Sequence, residues 1–314
     1  MTTVADEKKR INYLLQRDKA TDKQLEKVYR QASADLRSVM LHYTSIYAVD
    51  GTLVPGKLSK RPSRKDLQLI RDAYAQLPDN LPVDGEKKAR VYVSISALTL
   101  QTMLVGLLGL TLLKSTPKTI DIIQADIETA AKEELTYQIQ ASSRTNRAKL
   151  TAVKKKAAKT ASEPSAPSAA LPNGVKDWRE LIWLDHDRLL TQIAGIIDDG
   201  LKKGMTAKSI SDAIFPRAAA DLRSQSATRA VIQAFNSAKR VARTQAAARE
   251  DEVAQAAFEA EKVKYFRWVT EPGACKKCLA LEAGSPYEVA DGPRIPADSH
   301  PNCRCRRMPV AAEN

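Results

Sequence analysis

The sequence predicts a mainly α protein: a helical N-terminal region, long helices in the C-terminal half, and a small α+β element at the C-terminus. Three observations predict it. Apolar residues recur at three- and four-residue spacing through most of the 314 residues. Strand-forming residues concentrate in one short run at 265–270, and all four cysteines fall within the last 40 residues. The expected organisation is a helical region over 1–140, a basic Ala/Ser/Lys/Pro linker over 141–174, and a helical domain over 175–314 that ends in the Cys/His cluster.

The elements follow in chain order. Thr21 with Gln24 three residues on has the form of a capping box, and Leu25, Val28, Ala32, Leu36, Val39 and Tyr43 form one apolar stripe, predicting a helix over 22–46. Gly and Pro between 51 and 62 mark a loop, after which Ser63 caps a shorter helix with Leu67, Ile70, Tyr74 and Leu77 inward. From Val91 to Leu113, 23 residues carry no charge, which meets the length for a membrane span. Six polar side chains and two glycines, Gly106 and Gly109, favour a buried helix or helix pair there, with a membrane-competent segment as the alternative. Pro117 restarts a helix through Ile120, Ile123, Ile127 and Leu135; another begins near Trp178 and ends at Gly200 or Gly204. Thr206 caps a short helix, and a long Ala- and Arg-rich helix, read as a packed strut, spans about 219–262.

The chain carries a formal +13, with 43% hydrophobic and 28% charged residues, which excludes fibrous and wholly disordered classes. Aromatic residues make up 5%, too few for a base-stacking single-strand binder. The charge is uneven: residues 1–140 hold 21 basic and 17 acidic side chains (+4), 141–174 hold 7 and 1 (+6), and 175–314 hold 22 and 19 (+3). The middle segment has no periodic apolar face and reads as a tether, its first part at most frayed helix. Lys154, Lys155, Lys156 and Lys159 are its candidate contacts to DNA, against a purely solubilising role.

The N-terminus has neither a basic n-region nor an apolar h-region, so a reducing compartment is expected, where clustered cysteines more often bind metal than cross-link. Cys275-x2-Cys278 is followed, after 21 residues, by His300-x2-Cys303-x-Cys305. Two close pairs of thiol and imidazole ligands joined by a short loop is the spacing of a structural zinc site, a zinc-knuckle-like arrangement. Five ligands, Cys275, Cys278, His300, Cys303 and Cys305, compete for four positions, and disulfides are the alternative.

Trp268-Val269-Thr270, Cys275-Lys276-Lys277-Cys278-Leu279-Ala280-Leu281, Ser299-His300-Pro301-Asn302-Cys303-Arg304-Cys305 and the closing Met308-Pro309 resemble the phage head-morphogenesis (Mu F-like) family of minor capsid proteins. HPNCRC is the most specific of these strings, and the resemblance covers roughly residues 190–310. Two departures stand out. Glu271-Pro272-Gly273-Ala274 and Leu281-Glu282-Ala283-Gly284 replace the family's usual acidic turns, and its central Arg-Thr-Glu signature is altered, so no role is carried over to that glutamate. The resemblance implies a non-enzymatic virion protein that assembles in the host cytoplasm. It would lie in the capsid interior, associated with the portal protein and non-specifically with packaged DNA, and act in head assembly with genome packaging or ejection as associated steps.

Two other functions are compatible with parts of the sequence. A zinc-ribbon DNA-binding protein would use Lys276, Lys277, Arg304, Arg306 and Arg307 on phosphates, where the alternative is a solvated rim. A membrane-inserting ejection protein would use 91–113. A zinc deaminase would need His-x-Glu, which is absent; His186 precedes Asp187 and Arg188 and reads as a helix-surface residue.

Overall fold

The computed structural model describes residues 2–143, 147–163, 170–214 and 227–310. In chain order the helices are α1 (Val4–Tyr47), α2 (Pro55–Leu58), α3 (Asp66–Ala75), α4 (Val83–Ser96), α5 (Leu100–Leu112), α6 (Thr116–Ser143), α7 (Arg147–Ser162), α8 (Trp178–Lys202), α9 (Ala207–Ile214), α10 (Ala227–Glu261) and α11 (Lys276–Ala283). The strands are β1 (Tyr265–Val269), β2 (Tyr287–Glu288) and β3 (Arg306–Val310). The protein is mainly helical with a small C-terminal sheet, as the sequence predicts.

The described chain forms two compact units, each assembled from separated stretches. One comprises 1–23, 122–180 and 239–314; the other comprises 24–121 and 181–238. The three successive segments expected from the sequence do not coincide with these units, because long helices leave one unit and enter the other.

In the first unit, α1 begins at Val4, eighteen residues before the expected start at 22, capped by Thr3 and Asp6: the Thr3 amide donates to Asp6 Oδ2 at 3.0 Å and the Asp6 amide to Thr3 Oγ1 at 3.1 Å. Thr21 is therefore mid-helix, and its hydroxyl donates to Asp126 Oδ1 at 3.0 Å. The inward face runs Glu7, Ile11, Leu14, Asp18, Thr21, with every member buried. Two acids on that face conceal the stripe from a hydrophobic-periodicity reading.

The sheet is antiparallel in the order β2-β1-β3, with Trp268 opposite Arg307 and Val269 opposite Arg306. Alternation along β1 and β3 divides the side chains between two faces. Phe266 and Trp268 pack with Phe258, Ala247 and Ala254 of α10, and Val269 and Met308 pack with Ile11 of α1. Of the expected linker, 147–162 is helix α7, which buries Val153 and Ala157 against Ala131, Val253, Ala256 and Ala257. Its apolar face is two small residues wide, sufficient only because α10 presents alanines there, and for that reason it gives no periodic signal. Residues 164–169 of that segment lie outside the described residues.

In the second unit, 91–113 folds as two helices broken at Ala97–Thr99, where Thr99 and Thr102 form a capping box. Ten of the thirteen residues of α5 are buried. Gly106 and Gly109 allow this: a Cβ on Gly106 would stand 1.9 Å from Ser96 Oγ, and one on Gly109 2.8 Å from the Tyr92 ring. No helix among the described residues is long and apolar enough to cross a membrane. Ser63, Thr206 and Pro117 act as the sequence predicts: Ser63 Oγ accepts from the Asp66 amide at 3.2 Å, Thr206 Oγ1 accepts from the Ser209 amide at 3.0 Å, and Pro117 lies in the first turn of α6. Residues 219–226 of the expected long helix lie outside the described residues.

His186 is not a surface residue. It is 4% exposed, with Nε2 2.7 Å from the Tyr92 hydroxyl and Nδ1 2.9 Å from Thr116 Oγ1. The Thr116 hydroxyl donates to the Leu112 carbonyl at 3.2 Å, so Nδ1–H donates to Thr116 and Nε2 accepts from Tyr92. Burial lowers the His186 pKa from 6.5 to about 4, with Lys88 also lowering it and Asp187 opposing. The unfolded state binds the extra proton between these values, so the contribution of His186 is complete above pH 6.5 and lost as pH falls towards 4. Urea unfolding should show a loss on the order of 3 kcal/mol across that window. A His186 ring titrating near 6.5 in the folded protein by NMR would contradict this assignment.

Candidate metal centre

The site is built where β1 ends and where the chain returns to β3. After Val269 the chain turns at Gly273, whose φ of +74° is readily adopted by glycine, and the Ala274 amide donates to the Glu271 carbonyl at 3.2 Å. Cys275 is the N-cap of α11 and Cys278 lies in its first turn, so the three-residue spacing puts both thiols at the helix N-terminus. The second half comes from the 300–305 turn. Asn302 has φ +70°, and its amide donates to Thr244 Oγ1 of α10 at 2.9 Å, which anchors the turn. Glu271 ties the halves together, its Oε1 accepting from the Arg304 amide at 2.9 Å.

All five ligands expected from the sequence meet here. Cys278 Sγ is 3.2 Å from His300 Nε2 and 3.7 Å from Cys303 Sγ. The donor atoms fall into three overlapping groups, each within 4.8 Å: Cys275, Cys278 and His300; Cys278, Cys303 and Cys305; Glu271, His300 and Cys303. This cluster can hold a metal ion. Cys278, His300 and Cys303 each belong to two groups and form its centre, and all four cysteines are free thiols. Glu271 is a candidate ligand that the sequence reading treated only as part of a turn; an acid four residues before a CxxC was the available signal.

The orientation of His300 suits a metal ligand. His300 Nδ1 is 2.8 Å from the Pro301 carbonyl, which can only accept, so Nδ1 carries the proton and the Nε2 lone pair faces the sulfurs. Burial opposes protonation of His300, yet the Pro301 carbonyl, the Cys303 and Cys275 sulfurs and Glu271 raise its pKa overall. Cys303 is lowered to about 6, chiefly by the hydrogen bond from Cys305, whose own pKa is raised by that bond to Cys303 and by burial. Burial pushes Cys278 up to about 12. Cys275, exposed, is lowered by the amides of Cys278 and Lys277 at the start of α11. The four cysteines and the directed imidazole are a donor set that a divalent cation would complete, displacing the protons of the thiols it binds.

The basic residues around the cluster do not form a uniform rim. Lys276 and Lys277 are exposed, whereas Arg304, Arg306 and Arg307 are buried and paired. Arg304 grips both oxygens of Asp18 at 2.9 and 2.5 Å and reaches Glu250 at 3.0 Å. Arg306 binds Glu134 at 2.8 and 2.7 Å and Glu7 at 3.0 Å. Arg307, on the opposite face of β3, binds Asp251 Oδ1 at 2.6 Å and Gln255 at 2.7 Å and lies over the rings of Phe266 and Phe258. Burial pushes Glu250 up, but Arg304 and Arg17 hold it below its ordinary value. Neither a phosphate contact nor a solvated rim describes these three arginines, because their charge is spent on carboxylates of α1, α6 and α10. Lys154, Lys155, Lys156 and Lys159 are exposed on α7; they take no part in the cluster.

No protein-family model, curated protein or solved structure matches the chain.

Replacing Arg304 by Met leaves Asp18 and Glu250 buried without their common partner. Removing one side of a buried pair destabilises by about 3–5 kcal/mol; Arg243 and Arg17, which also contact these acids, should bring the loss to the lower end of that range. Urea unfolding followed by tryptophan fluorescence measures it, and a loss below about 1 kcal/mol, the size of a surface pair, would contradict the buried assignment.

Proposed function

We infer that the protein is a minor head protein of a phage capsid, non-catalytic, associated with the portal, and stapled at its C-terminal element by zinc. The observation that carries this reading is the HPNCRC string together with its setting. The residues that resemble the head-morphogenesis family form one three-dimensional unit: Trp268 in the core of the sheet, both halves of the Cys/His motif around one centre, and Met308 on the neighbouring strand. A resemblance confined to sequence would not require those strings to meet.

Zinc is favoured over other cations by the donor set, thiolates and imidazole rather than carboxylates and carbonyls. In a tetrahedron with Zn–S bonds of about 2.3 Å the sulfurs stand roughly 3.8 Å apart, and Cys278 and Cys303 are 3.7 Å apart. Cys278, His300 and Cys303 would supply three ligands, with the fourth from Cys275 or Cys305. Such a metal would cross-link the start of α11 to the approach to β3, a structural role. The arginines a DNA-binding zinc ribbon would place on phosphates are instead buried in pairs, which removes that reading's main support.

Two measurements test this function. Elemental analysis of protein purified without added metal should find one zinc per chain. Loss of that zinc in Cys278→Ser and Cys303→Ser should make 265–310 sensitive to protease while the helices stay folded; a metal content of zero would refute the staple. Co-expression with the portal protein of the same genome should yield a complex in which this chain co-migrates with the portal ring, and a chain that elutes free of an assembled ring would refute the portal association.

A further inference from the structure

We propose that the exposed face of α7 is a binding surface for the backbone of duplex DNA. The identity of the polyanion rests on the capsid-interior reading above; the surface itself rests on α7. Between Lys149 and Ser162 the sequence has five lysines and no acidic residue. The helix is held in place from below. Val153 and Ala157 are buried against α6 and α10, and Arg249 of α10, itself 4% exposed, donates to the carbonyls of Thr160 and Glu163 at the C-terminal end. Lys155 and Lys159 face away from that buried pair and Lys149, Lys154 and Lys156 flank it, all exposed, with the Lys159 side chain at 79%.

Two of these lysines form ion pairs, Lys156 with Glu259 at 2.5 Å and Lys159 with Glu163 at 3.8 Å, both exposed. Lys155 and Lys159, one turn apart, repel, and three consecutive lysines add to that. Fold stability gains nothing from this crowding, in contrast to the buried arginines, each matched to a carboxylate. A polyanion relieves it. Lys149 to Lys159 spans about 15 Å of helix, along which duplex DNA presents roughly nine phosphates.

The chemistry selects a backbone contact. Lysine is a point charge, and 149–162 contains no Arg, Asn or Gln to read base edges. An anionic membrane would require apolar side chains able to insert, but those of α7 are directed into the protein core.

Fluorescence anisotropy with two 30-base-pair duplexes of unrelated sequence, titrated from 50 to 200 mM KCl, tests the surface on the full chain. With a slope change of about 0.9 per phosphate contact, the variant Lys149→Gln/Lys154→Gln/Lys155→Gln/Lys159→Gln should lower the log–log salt slope by about 3–4 on both duplexes. Lys155→Gln/Lys159→Gln should lower it by about half as much, and Lys276→Gln/Lys277→Gln should leave it unchanged. An unchanged slope in the four-site variant, a loss confined to one duplex, or tighter α7-dependent binding to phosphatidylserine vesicles than to DNA would each overturn the proposal. The four-site variant should still co-migrate with the portal ring; DNA binding without portal association would sink the functional reading and leave this surface standing.

Discussion

The burial of three arginines at the C-terminal strand is the constraint on which the first unit depends. A guanidinium cannot shed its proton, so folding β3 into the interior demands carboxylates at matched positions. Asp18 and Glu7 come from α1, Glu134 from α6, and Glu250 and Asp251 from α10. Strand alternation sends Arg304 and Arg306 to one set and Arg307 to the other. Residues almost 300 positions apart are thereby locked in register, as in the Arg306–Glu7 contact. The bidentate geometry of Arg304 on Asp18 and of Arg306 on Glu134 makes this a directional fit, where apolar packing alone would tolerate slippage.

The candidate metal centre is interleaved with that network. Arg304 lies between Cys303 and Cys305, so successive side chains of one segment serve the ion pairs and the thiol cluster in turn. Glu271 belongs to both, accepting from the Arg304 amide while its carboxylate stands within ligand reach of His300 and Cys303. A cation at the cluster would therefore fix the same backbone that the carboxylates grip, and each would limit the motion open to the other.

Positive charge has two uses in the first unit. Arg304, Arg306 and Arg307, with their planar forks, are used inside, where every charge must be answered by defined acceptors. The lysines of α7, compact and strongly hydrated, are used on the outside. The formal +13 therefore overstates what the surface presents around the cysteines, and the exposed charge is concentrated elsewhere.

Much of this architecture was legible in the sequence because it rests on local rules. Caps at Ser63 and Thr206, the buried helical run within 91–113, the start at Trp178, the strand at 265–269 and the approach of five Cys/His ligands all follow from spacing over a few residues. What the sequence concealed are positions whose partners are distant. The first half of α1 was missed because Glu7 and Asp18 occupy core positions, α7 because two small residues suffice against an alanine-lined neighbour, and His186 because its burial depends on Tyr92 and Thr116. By itself the sequence determined the helical class and the ligand chemistry of the C-terminal element. Only the tertiary structure decided which charges are buried and which face solvent, because the favourability of an ion in the interior depends on an opposite charge within a few ångströms and not on its neighbours along the chain.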